Sequence, residues 1–121
     1  MESVRFIEYK SQEILLVDFT QAKTDEEVLA IIKRSNRLAM TRPANSILAL
    51  TDVSLVHFND RVLTAVKEGA KKNTLYFKAS ATVGVTGLKK VVLPMIARFS
   101  GRNIKPFDDR EQAMDWLLTQ I

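Results

Sequence analysis

The sequence predicts one α/β domain with a mostly parallel sheet. Three observations lead there. Short runs of β-type residues recur along 121 residues, a length that suits a single core. All but the first of these runs precede a stretch with helical apolar spacing, and strands that alternate with helices assemble into parallel sheets. Capping residues, prolines and glycines fall at the junctions between them.

Residues 4 to 9, Val-Arg-Phe-Ile-Glu-Tyr, mostly alternate apolar with polar and predict a strand. A polar turn at 10–13 leads to a second strand at 14–19, Ile-Leu-Leu-Val-Asp-Phe, apolar enough to be covered on both faces. The two form a hairpin, so the first strand pairs antiparallel at the sheet edge. Thr24 to Glu27 is a capping box, with Thr24 accepting from the Glu27 amide and Glu27 reaching back to the Thr24 amide. Val28, Ile31, Ile32, Leu38 and Ala39 mark one face of the first helix, which Pro43 ends. Residues 47–50 are a short buried strand and 51–58 a loop.

Asn59 or Asp60 caps a second helix, with Val62, Ala65, Val66, Gly69 and Ala70 inside. Lys71 and Lys72 suit the dipole of its last turn, and Asn73 reads as its C-terminal cap. A strand is best placed at 79–85. Thr86 caps a third helix that begins near Leu88 and ends at Gly101. Leu88, Val91, Val92, Leu93, Met95, Ile96 and Phe99 cover most of its circumference, which predicts burial against more than the sheet. Pro94 should kink it. Residues 104–107 form the last strand, Asp108 to Glu111 a second capping box, and the closing helix carries Ala113, Met114, Trp116 and Leu117. The order is β-β-α-β-α-β-α-β-α, one domain over residues 1–121.

Composition narrows the chemistry. The chain has no cysteine, so disulfides, thiol nucleophiles and Cys-based metal sites are excluded. The N-terminal residues "MESVRFIEYK" carry charges where a signal peptide needs an apolar core, and no apolar run reaches the ~18 residues of a membrane span. The expected location is the cytoplasm. The net charge is +4, and between Gly69 and Phe107 there is no acidic residue. Such asymmetry suits either an anionic partner or a solvated basic surface. No stacking aromatics or recognised motif accompany the charge, so no nucleic-acid partner is expected.

Two segments carry candidate chemistry. "VGVTGLKK" (83–90) joins a strand to a helix, where ligands bind in open α/β sheets. Its spacing does not fit a G-x-x-x-x-G-K-[ST] loop, and two glycines are too few for the dinucleotide fingerprint. It reads first as a capped helix start, and second as a site for a small anion or headgroup. In that second reading Thr86, Gly87, Lys89, Lys90 and Arg102 meet the charge, and Leu93, Ile96 and Phe99 supply an apolar wall. His57 is the one histidine. With Asp52 and Ser54 it forms no known triad, and it is expected in a surface loop. Asp108 and Asp109 begin a helix, where negative charge is stabilising. No metal or cofactor is implied, and no enzyme is expected.

"LALTDVSLVHFND" followed by a helix resembles the signature region of STAS domains, the SpoIIAA-like fold of bacterial anti-sigma-factor antagonists. Phe58 and Asp60 fall in the matching places. "LLVDFT", "VGVTGLKK" and "FSGRNIKPFDDREQAMDWL" extend the likeness to a branch of small stand-alone bacterial proteins, largely uncharacterised. The resemblance implies a non-enzymatic domain that binds a protein partner or itself, in the latter case as a homodimer, through Asp52, Ser54, His57, Phe58, Asn59, Asp60 and Arg61. Some relatives bind anions, nucleotides or lipids instead, which is the alternative. The regulatory serine of the sigma cascade follows the matching Asp. Here those positions are Arg61 and Val62, so a phosphoserine switch is not expected; Thr64 lies one helical step further on.

Overall fold

A computed structural model describes residues 2–121. Five strands form one sheet in the order β1-β2-β3-β4-β5. β1 (Val4–Tyr9) and β2 (Gln12–Asp18) are antiparallel; β3 (Ile47–Asp52), β4 (Phe77–Val83) and β5 (Ile104–Phe107) continue parallel to β2. The expected class, element order and antiparallel edge are all present.

The hairpin turn is tighter than the sequence suggested. Only Lys10 and Ser11 lie outside the strands, both with positive φ (48° and 69°). A two-residue turn of this hand matches the twist of the strands, so Gln12 and Glu13 join β2 instead of the turn. β3 also runs two residues further, through Asp52, because Thr51 and Asp52 pair with β4.

Each helix starts on a side-chain cap except the third. α1 (Asp25–Ala39) starts at Thr24, whose Oγ1 accepts from the Glu27 amide at 3.1 Å. Glu27 reaches back to the Thr24 hydroxyl and the Lys23 amide, not to the Thr24 amide. α2 (Asp60–Asn73) is capped by Asn59, which accepts from Val62 at 2.8 Å. Asn73 is its last residue, not a left-handed cap, and a 3-10 turn at Thr74–Tyr76 leads into β4. α4 (Arg110–Leu118) is capped by Asp109 through the Gln112 amide, one residue later than the box read at Asp108.

α3 (Lys89–Ser100) differs from expectation at its start and along its face. Thr86 does not cap it by its side chain; the Thr86 carbonyl accepts from the Lys89 amide in a preceding turn. Gly101, at φ 74°, ends it as foreseen. Ile96 and Ser100 are its only buried residues, while Leu88, Val91, Met95 and Phe99 are exposed. Its broad apolar girth is therefore not buried within this chain. The helix rests on α2 and β5 and leaves the rest of its surface outward.

The sheet divides the core in two. Ile14, Leu16, Leu48, Leu50, Ala79, Ala81 and Val83 face α4, where Ala113 and Leu117 are fully buried. Leu15, Val17, Ile47 and Ala49 face α1 and α2, with Val28, Ile31 and Val62. Gly69 holds those two helices close, since a Cβ there would lie 2.7 Å from Ile32 Cγ2.

Candidate functional site

The face of β4 toward α2 and α3 carries Ser80 and Thr82, both buried. Behind them lies a cavity of about 100 Å³ between the sheet and helices α1, α2 and α3. Val17, Phe19, Val28, Ile32, Val53, Val56, Phe58, Val66, Leu93, Ile96 and Ile104 supply an apolar lining. The polar groups on it are few: Ser80 and Thr82, the paired side-chain amides of Asn36 and Asn73, Ser35, Thr51, Lys89 and Arg102. An apolar recess with a few convergent polar groups is the common form of a small-molecule site.

Two cations approach it from different ends. Arg102 follows the left-handed Gly101, which turns the chain off α3 and back toward the sheet. Its guanidinium stacks on the Phe77 ring, 3.9 Å from the centroid, and Nη2 donates to Ser80 Oγ at 2.8 Å. Nε is buried and has no partner. Burial pulls the Arg102 pKa down to about 10, so the group is still charged at neutral pH. Lys89, in the first turn of α3, donates to the Val53 carbonyl at 2.5 Å and lies 3.3 Å from that of Ser54. Its pKa is lowered by burial, against the pull of Asp52.

The residues read as one anion site are thus divided. Lys89 and Arg102 reach the cavity with Leu93 and Ile96. Thr86 and Gly87 are exposed. Lys90 lines a separate outer groove with Pro94, Pro106 and Asp108. Phe99 faces outward, beneath the ammonium groups of Lys67 and Lys71 at 4.7 and 5.0 Å from its ring.

The segment read as a partner surface is also mixed. Phe58 lines the cavity. Ser54, His57, Asn59, Asp60 and Arg61 are exposed. Asn59 ties α2 to Asp25, and Arg61 bonds Glu26 at 2.8 Å. Asp52 is buried: Oδ1 accepts from the Ser54 amide and hydroxyl, and Oδ2 from Arg110. Of the two positions that follow Asp60, Arg61 is exposed and Val62 is fully buried.

A crystal structure described as an uncharacterized protein from the DUF3478 family with a SpoIIAA-like fold, from Shewanella loihica PV-4, superposes with a TM-score of 0.71. The match covers 94% of this chain and 91% of that one at 18% identity. The fold is SpoIIAA-like. No family model matches the sequence, and no curated protein does. In this SpoIIAA-like sheet the cavity lies on the three-helix side, and α4 alone covers the other. No helix among the described residues is long and apolar enough to cross a membrane.

Ser80 and Thr82 escaped the sequence reading, although a signal was present. In "FKASATV" polar residues alternate with Ala79, Ala81 and Val83. In a strand covered on both faces, that alternation marks a polar stripe inside the protein.

Proposed function

We propose that this chain is a non-enzymatic binding domain that takes a small, largely apolar molecule between its sheet and helices α1–α3. The cavity beside β4 carries the reading. A well-packed domain of this size leaves few voids larger than a water molecule, whereas this recess of about 100 Å³ is walled by apolar side chains and reached by two cations. The half-buried Phe58, Val85, Lys89 and Leu93 form its outer rim. Native mass spectrometry of the purified protein tests the proposal. A reproducible added mass that disappears on denaturation supports it. A bare protein whose melting temperature short-chain alcohols and acids fail to raise counts against it.

A second reading has its own observation. Leu88, Val91, Met95 and Phe99 are 78%, 62%, 40% and 43% exposed and recur at helical spacing. Such a strip favours a protein contact, with a partner or a second copy, next to the loop that resembles the STAS signature. The same spectrum reads the subunit count. A dimer without added mass favours this reading over the first.

A further inference from the structure

Arg102 is the one described residue with a buried side-chain nitrogen lacking a partner. No carboxylate pairs with it among the described residues, and the chain has no acidic residue from Gly69 to Phe107. A covered cation normally has a counter-ion or a full set of acceptors. Here the guanidinium has Ser80 Oγ and the Phe77 face.

We infer that the cavity's ligand is a monoanionic carboxylate with a short hydrocarbon body, its head on the Arg102 guanidinium and its chain against the apolar lining. The inference rests on the binding-domain reading above. The head is specified by three facts. Nε–H is a free donor within the protein. Ser80 Oγ accepts from Arg102, so its own proton can be donated, and the Thr82 hydroxyl lines the same space. Arginine supplies a single charge, and a carboxylate balances it. A phosphate monoester brings nearly two charges and three acceptor oxygens, against the single charge of Arg102, while Lys89 is engaged by main-chain carbonyls. Size limits the body. An apolar cavity of about 150 Å³ holds benzene, so a recess of about 100 Å³ that reaches a half-buried rim suits a short chain.

The test is a titration of the ¹⁵N-labelled full chain at pH 7 with hexanoate, hexanol and hexyl phosphate in turn. It follows the Arg102 Nε–H signal and the Ser80 and Thr82 amides. Hexanoate is expected to move all three and to bind about tenfold more tightly than hexanol, a ratio typical of one charge-assisted hydrogen bond. In Arg102→Met that tenfold advantage should vanish while hexanol affinity stays within about twofold. Equal binding of hexanoate and hexanol to the wild type would overturn the carboxylate assignment and leave the cavity reading intact. Tighter binding of hexyl phosphate would overturn it in favour of a dianion. No binding of any of the three to a folded wild type would remove both readings.

Discussion

Arg110 holds Asp52 against α4: its Nη2 lies 2.9 Å and its Nε 3.0 Å from Asp52 Oδ2, and Nη2 is also 3.3 Å from Asp18 Oδ2. One guanidinium thus joins the carboxyl ends of β2 and β3 to the helix on the opposite side from the cavity. Asp52 is at the same time fixed by Ser54. In Arg110→Met two largely buried carboxylates lose their shared cation. Breaking a fully buried pair costs about 3–5 kcal/mol. With Arg110 38% exposed, about 2 kcal/mol is expected, read from the urea midpoint. A loss below about 0.5 kcal/mol would mean the network is only a surface feature.

Acid should loosen the same corner. Burial pushes the Asp18 carboxyl up, but the Thr20 hydroxyl and amide, with Arg110, outweigh it and hold the pKa below the ordinary value. A carboxyl depressed in the folded state adds stability above its unfolded pKa of about 3.9 and loses it as pH falls through the lower folded value. The wild type should therefore lose more stability between pH 5 and pH 2 than Asp18→Asn does. Parallel urea curves over that range would refute the assignment.

Arg102 should cost stability at neutral pH. Its fall from the ordinary guanidinium value to about 10 corresponds to about 3 kcal/mol at about 1.4 kcal/mol per unit. The Ser80 hydrogen bond and the Phe77 contact return about 2 kcal/mol of that. The sign follows from proton uptake: the unfolded state binds the proton more tightly, so the penalty is complete below pH 10 and relieved only above it. Arg102→Met should raise stability by about 1 kcal/mol at pH 7. A destabilised variant would show that the stacking and hydrogen bond outweigh the burial cost.

The two glycines of "VGVTG" should respond differently to alanine. At Gly84, φ is 86° and a Cβ would overlap the Ser54 backbone. At Gly87, φ is 57° and a Cβ would meet nothing within 4 Å. Gly87→Ala carries only the left-handed penalty of about 1 kcal/mol. Gly84→Ala should cost at least about 2 kcal/mol more, because either strand end or loop must move. Equal melting temperatures for the two variants would contradict the packing at Ser54.

If the loop before α2 docks a protein, Arg61→Ala should weaken association while changing stability by less than about 0.5 kcal/mol, since its bond to Glu26 is exposed. Analytical ultracentrifugation at several concentrations reads it. An unchanged association constant removes Arg61 from any interface.

Much of the fold was legible because local signals agreed with each other. Thr24 and Asn59 cap the helices they were expected to cap, and β2 through β5 follow from apolar runs between turns. α3 was misread for a physical reason: an apolar surface on a helix looks the same in sequence whether this chain or a partner covers it. The placement of the basic side chains was half legible. Lys89 and Arg102 were chosen for charge, but only the turn at Gly101 and the fall of the chain onto Phe77 and Ser80 separate Arg102 from the exposed Lys90. Such long-range placement leaves no local mark.

The sheet's two outer strands have different consequences for self-assembly. β5 is four residues long and includes Pro106, which has no N–H to offer a further strand. β1 is longer, but its edge is guarded: Arg34 of α1 donates to the Val4 carbonyl, and Arg5 and Glu8 place charge along it. Exposed strand edges are where folded proteins add one another and polymerise. With one edge cut short by proline and the other held by arginine, copies of this chain are expected to resist growth into continuous sheets, which leaves the helical faces for any contact between them.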